Sequence, residues 1–274
     1  MTNIRPLRPD ASPLDYFGSE LRRRREEQDL SQSDLGNAIF CTGSLVGQIE
    51  TAKKVPTRDF AERVDAALGT DGAFSRLVGL VLRSQLPTWF QAYAELEAQA
   101  TYISAFQTQV IYGLLQTEEY ARTVLAIDHA DDLDAQTAAR LDRQRILTGE
   151  EPPALWVVLS EAALLQEVGG RSVMRNQLAH LLSLQGRPWL GLQVLPFSVG
   201  AHTGVKGSFN LLRFERDPDL FYAESYDQGH MTANPQVIRE RSVGYAHLQA
   251  TALSPEESVA LITRVMEERY GDHP

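Results

Sequence analysis

The side chains that can do chemistry gather in two stretches of this sequence. The first is Leu30-Ser-Gln-Ser-Asp-Leu-Gly-Asn-Ala-Ile-Phe-Cys-Thr-Gly-Ser-Leu-Val-Gly-Gln-Ile-Glu50, followed by Lys53-Lys54-Val55-Pro56. Its hydroxyls, amides and cations suit hydrogen bonding to base edges and phosphates. The second is the loop Ser198 to Gly207, where His202 and Lys206 stand among glycines between two expected strands. That loop either lines a ligand pocket or simply connects the strands. Glu161 and Arg175 are the polar groups that would meet a ligand there; their other reading is a helix cap and a surface pair.

Bond-breaking chemistry finds no support. Gly43-Ser44-Leu45-Val46-Gly47 has its serine in the wrong place for a Gly-x-Ser-x-Gly elbow, and no Gly-x-x-x-x-Gly-Lys-Ser/Thr loop occurs. The histidines at 129, 180, 202, 230, 247 and 273 lack metal-ligand spacing, and Cys41 is the sole cysteine, so no intrachain disulfide forms. Trp89, Trp156 and Trp189 read as core residues. The expectation is a protein that is not an enzyme, without catalytic residues, metal or cofactor.

The elements that must position the first stretch are short helices. The first expected helix runs from Tyr16 to Gln28, with Phe17 and Leu21 on one face and Arg22-Arg23-Arg24-Arg25 beside it, a run that is either solvated or in contact with DNA. Ser31 caps a second, Gln32 to Ile39, with Asp34 completing a capping box; Thr42 caps a third, Gly43 to Thr51. Pro56 opens a fourth ending near Gly69, and a fifth covers Ala73 to Arg83. Leu35, Ile39, Val46 and Ile49 let the second and third pack across a tight turn, with Gly36 small at the approach. This is a helix-turn-helix, whose second helix is free to enter a major groove.

Charge divides the chain. Residues 1–86 hold 12 Lys+Arg against 12 Asp+Glu, so the net charge of −10 lies wholly beyond them. The acidic part is expected to face away from DNA. Beyond Pro87, helical patterns are expected to about Ile127, including Val110 to Leu125, then an acidic loop Asp128 to Asp134 and a helix Ala135 to Leu147. Leu155 to Leu159, Leu190 to Phe197, Ser208 to Phe214 and Leu220 to Ser225 read as strands, with a helix at Ser172 to Gln185. Ser254-Pro255-Glu256-Glu257 announces a last helix. No transmembrane or signal segment is read, so a cytoplasmic, nucleoid-associated protein is expected.

The first stretch resembles the helix-turn-helix of the phage-repressor and xenobiotic-response-element (XRE) family. Leu30-Ser31-Gln32, Leu35-Gly36, Ser44 to Glu50 and Lys53-Lys54-Val55-Pro56 match its pattern. The resemblance implies that Gln32 binds a phosphate and that Thr42, Gly43, Ser44, Leu45 and Gln48 face the groove. Ser44, Leu45 and Gln48 would read bases, with the Gln48 amide suited to adenine and Leu45 to a thymine methyl. Thr51, Lys53, Lys54 and Arg58 would contact phosphates, and Arg25 would pair with Glu50 as a structural tie. Phe40 and Ala52 stand where the family has turn glycines. A left-handed residue there costs about 1–2 kcal/mol, so looser turns are expected.

The remainder resembles the C-terminal domain of the actinobacterial WhiJ-like regulators. Matching stretches are Trp89-Phe90 with Glu95-Leu96-Glu97; Gly113-Leu114-Leu115-Gln116-Thr117 with Tyr120-Ala121; Leu155 to Leu164; Val194 to Phe197 with Gly200-Ala201-His202; Gly207-Ser208-Phe209; and Leu253 to Ser258. Tyr112 stands where that group has proline. The resemblance implies regulation and frequent pairing with a small partner protein encoded nearby, and identifies no effector.

The expected architecture is a tail at 1–15, an all-α helix-turn-helix domain of about five helices at 16–86, and an α+β domain at 87–274. The latter should hold a small, mostly antiparallel sheet and several helices. The expected function is a homodimeric regulator that binds double-stranded DNA and responds through its C-terminal domain to a small-molecule effector or a protein. The alternatives are the DNA-binding, partner-neutralising half of a toxin–antitoxin-like pair and, last, an enzyme with a DNA-binding domain.

Overall fold

The computed structural model describes residues 8–127, 132–225 and 228–271. The chain forms two units: Met1–Gln91 with Asp131–Asp142, and Ala92–Ala130 with Arg143–Pro274.

The first unit contains α1 (Pro13–Glu26), α2 (Gln32–Ala38), α3 (Gly43–Glu50), α4 (Arg58–Leu68) and α5 (Ala73–Ser84). The side chains of Ser12, Ser31, Thr42 and Thr57 cap the first four, each accepting from an N–H three residues on. Because Ser12 caps and Pro13 takes the first position, α1 begins at Pro13, inside the segment expected to be a tail. The first seven residues of that tail lie outside the described residues. Helix α5 has no cap of its own, since Gly72 precedes it. Asp65 of α4 substitutes, accepting from the Phe74 and Ser75 N–H groups at 2.9 and 2.8 Å and from the Thr70 and Ser75 hydroxyls. Burial opposes ionisation of Asp65, yet these bonds hold its carboxyl below the usual carboxylate range.

One core closes this unit. Leu35, Ile39, Val46 and Ile49 are each no more than 1% exposed, alongside Phe60, Val64 and Val78. Phe17 of α1 meets Phe74 of α5 edge-on, with ring centroids 5.1 Å apart. A further helix, α8 (Leu133–Arg143), also belongs here through residue 142. Its Ala138 packs on the same core, Gln136 donates to the Gln85 carbonyl, and Asp142 takes the Arg58 guanidinium. A single cut at residue 86 therefore misses a helix that returns from much later in the chain.

The second unit is α+β. Between α6 (Thr88–Glu97), which starts at the boundary, and the C-terminus come β1 (Tyr102–Gln107), α7 (Glu118–Leu125), β2 (Ala154–Ser160), α9 (Glu161–Leu165), α10 (Arg171–Ser183), β3 (Leu190–Leu195), β4 (Phe209–Arg213), β5 (Leu220–Glu224), β6 (Gly229–Thr232), α11 (Pro235–Thr251) and α12 (Pro255–Tyr270). The six strands form one mixed sheet, β3-β2-β1-β4-β5-β6. Strands β1, β2 and β3 pair in parallel, and β1–β4, β4–β5 and β5–β6 are antiparallel. The edge at β3 is closed by the α11–α12 connection. The Val194 N–H donates to Ser258 Oγ, and the Val194 carbonyl accepts from the Leu253 N–H, both at 2.9 Å.

Several expectations change. Tyr102–Gln107 is a central strand, not helix; four consecutive buried residues leave no period by which to recognise it. The expected helix Val110 to Leu125 is a 3₁₀ turn, Gly113–Leu115, followed by α7 under a Thr117 cap. Ala135 to Leu147 divides into α8 and a 3₁₀ turn at Gln144–Leu147. Most of the acidic loop lies outside the described residues, and α8 already begins at Leu133. Strand β6 and helix α11 were not anticipated, although Asn234-Pro235 caps and opens α11. Among the described residues no helix is long and apolar enough to cross a membrane.

A buried polar cluster joins α6 to the sheet. Arg143 gives Glu97 three hydrogen bonds of 2.8–3.0 Å, and the Tyr112 and Tyr93 hydroxyls donate to the same carboxylate at 2.7 and 3.1 Å. Asn210 of β4 donates to the Tyr93 hydroxyl at 2.9 Å, and Tyr93 stacks on Tyr222 of β5, with centroids 3.9 Å apart. Burial and the neighbouring Glu97 charge push the Tyr93 and Tyr112 hydroxyls well up, so both remain donors.

Candidate nucleic-acid interface

Helices α2 and α3 approach through missing side chains. A Cβ on Gly36 would lie 2.8 Å from the Gly43 nitrogen, and one on Gly43 would lie 2.9 Å from the Ser33 Cα. A Cβ on Gly47 would lie 2.8 Å from Gln32 Oε1. Gly43 therefore turns its Cα–H toward α2. A side chain there would collide with Ser33 instead of reaching outward, so Gly43 offers a groove only its backbone.

Glu50 fixes the pair to α1. It is fully buried, accepts from Arg25 Nε and Nη2 at 2.6 and 3.1 Å, and accepts from Gln32 Nε2 at 2.7 Å. Arg22 reaches the Glu50 carbonyl at 3.4 Å. The Arg25–Glu50 tie is thus present, and it carries Gln32 with it. One amide hydrogen of Gln32 is committed to Glu50, leaving the second able to donate elsewhere. The remaining arginines of the run are neutralised by α1 and its C-cap: Arg23 by Glu20 and Glu27, Arg24 by Glu20.

With its inner face held, α3 presents Ser44 and Gln48 to solvent one turn apart. Thr42 is exposed, but its hydroxyl caps the helix by accepting from the Leu45 N–H at 3.2 Å. Leu45 is half-buried against the core, so only its edge is available. Thr51 turns its hydroxyl back to the Gly47 carbonyl at 2.7 Å. Lys53 and Lys54 are exposed on the following loop. Arg58 departs from expectation: its guanidinium is engaged by Asp142, with Nη2–Oδ2 at 3.1 Å.

The two turns are not loose. Phe40 and Ala52 adopt φ of +57° and +53°, while the Cys41 N–H bonds the Gly36 carbonyl at 2.8 Å and the Lys53 N–H bonds Gln48 at 2.9 Å. The left-handed cost is carried, not avoided. Because Phe40 is 87% exposed, Phe40→Gly removes strain without losing packing. It should stabilise this unit by about 0.5–1 kcal/mol after glycine's added chain entropy, read by urea denaturation. A destabilised variant would show that the ring makes contacts that matter.

The second candidate site is less assembled. Glu161 opens α9 and accepts from the Phe197 N–H at 2.8 Å, fastening the loop that follows β3. His202 Nδ1 accepts from the Gly204 N–H at 3.2 Å, and its ring meets Phe106 edge-on. Both side chains are used to shape the loop. Lys206 is exposed on it, and Arg175 is exposed on α10.

Residues 90–264 match the family model described as a domain of unknown function, DUF5753. The chain belongs to that family. Within this DUF5753 protein, residues 17–76 match a helix-turn-helix domain, reaching from within α1 to the first turn of α5. No match was found among curated proteins or solved structures. A helix-turn-helix presenting an exposed recognition helix makes this a DNA-binding regulator joined to a DUF5753 domain. Helix α8 lies inside the DUF5753 match, yet it packs with the DNA-binding unit.

Proposed function

We propose that the protein is a transcriptional regulator of the XRE type that binds an inverted-repeat operator as a homodimer, its activity modulated through the DUF5753 domain. The observation that carries this reading is the Ser44–Gln48 stripe, exposed on a helix whose inner face is locked by Glu50. Gln48 offers a donor and an acceptor to adenine, and Ser44 lies one turn toward the N-terminus on the same face. Lys53, Lys54 and the free amide hydrogen of Gln32 supply phosphate contacts, which set affinity and not sequence choice. In a dimer the two α3 helices would lie about one DNA turn apart, ~34 Å.

Genome-wide binding of the tagged protein, with a Gln32→Ala, Gln48→Ala variant beside it, tests the reading. A few sharp sites sharing an inverted repeat, lost in the variant, are expected. On the resulting operator, Gln48→Ala should cost about 1–3 kcal/mol of discrimination at one or two base pairs. Lys53→Ala with Lys54→Ala should weaken all sequences alike and flatten the salt slope. Equal loss on every sequence for Gln48→Ala would remove its base-reading role.

A further inference from the structure

We propose that Asp142 is an internal competitor of DNA phosphate, holding Arg58 away from DNA in the unbound protein. The proposal rests on the DNA-binding reading and adds to it a built-in contact that lowers affinity. Arg58 is the first residue of α4 and follows closely on the Lys53–Lys54 loop that leaves the recognition helix. A cation at this end of a helix faces the positive pole of the macrodipole and needs an anion beside it. Phosphate is one such anion; in the unbound chain a carboxylate takes its place.

The geometry is that of an arginine–oxyanion clamp. Both Nε and Nη2 of Arg58 bond the two Asp142 oxygens, presenting the donor edge that arginine also gives to phosphate. The guanidinium has a prepared seat: a Cβ on Gly79 of α5 would lie 3.2 Å from Arg58 Nη2, so glycine leaves the notch open. The clamp is not sealed. The Arg58 and Asp142 side chains keep 28% and 13% of their exposure, so solvent, and with it an anion, reaches the pair. Lys53 and Lys54 on the preceding loop are exposed, and Arg58 is the cation of this segment that a carboxylate restrains.

The restraining carboxylate stands 84 residues from Arg58 in sequence and lies within the stretch matched to DUF5753. That region of the chain therefore acts directly on a cation beside the recognition helix, and any event that shifts α8 changes the charge offered to DNA.

The test uses the full chain and a fluorescent duplex of about 30 bp, with binding measured between roughly 50 and 200 mM salt. Asp142→Asn should bind several-fold to about tenfold more tightly, with a salt slope steeper by about 0.9, the increment for one added phosphate contact. Arg58→Ala should change wild-type binding little and should abolish the gain when combined with Asp142→Asn. A folded Asp142→Asn variant that binds as wild type, or more weakly, overturns the proposal. Should that variant fail to fold, hydrogen exchange on the wild-type chain decides. Exchange in residues 133–142 should rise when DNA binds, and unchanged exchange in a DNA-saturated sample overturns the proposal. A wild-type chain that binds no duplex at all would instead sink the DNA-binding reading.

Discussion

Glu50→Ala should cost the DNA-binding unit about 3–5 kcal/mol, because it strips the carboxylate from a buried arginine without returning that arginine to water. Arg25 loses its 2.6 and 3.1 Å bonds, and Gln32 loses its 2.7 Å acceptor, in one step. A domain typically has only about 5–15 kcal/mol in hand, so a large part of the margin goes. The measurement is hydrogen exchange of core amides such as those of Leu35 and Val46, which report opening of this unit alone. Protection should fall by roughly two to four orders of magnitude, and a loss under tenfold would mean that Glu50 does not hold the motif together. Replacing both partners, Arg25→Met with Glu50→Leu, separates stability from function. An apolar pair of similar volume should recover most of the stability. DNA binding should stay impaired, because Gln32 is no longer oriented.

What was legible in the sequence was local. The Ser31–Asp34 capping box and the Thr42 and Ser254 caps involve side chains three residues from their targets, and each is formed. The packing positions Leu35, Ile39, Val46 and Ile49 follow from helical spacing and are all buried. What was hidden depends on distance or on absence. Asp65 caps a helix other than its own, and Asp142 reaches back to Arg58; no spacing rule links either pair. The direction at Gly43 is hidden because a glycine carries no side chain from which to read one, and only the closeness of Ser33 shows where it would point. Strand β1 is buried along four successive residues, so it lacks the alternation that marks a half-exposed strand. Tyr112 likewise works at a distance, its hydroxyl bonding Glu97, fifteen residues away, at 2.7 Å.

Glu97→Ala should have the corresponding effect in the second unit, again about 3–5 kcal/mol. Glu97 is 1% exposed and receives three hydrogen bonds from Arg143 and one each from Tyr93 and Tyr112. With the carboxylate gone, a buried guanidinium loses the charge of Glu97 and two buried hydroxyls lose an acceptor. Exchange of β1 and β4 amides, such as those of Ile103 and Leu211, should accelerate accordingly. Tyr112→Phe removes one donor and leaves the ion pair, so it should cost only about 1–2 kcal/mol. Glu97→Gln keeps the shape but turns an N–H₂ toward donors, so it should fall between the two. If Glu97→Ala and Tyr112→Phe cost the same, the ion pair contributes nothing beyond one hydrogen bond, and the stacked Tyr93–Tyr222 rings hold α6 to the sheet. A much larger loss for Glu97→Ala assigns that work to the charge. The helix then has one defined seat, since an apolar surface tolerates a slid helix whereas a bidentate pair does not.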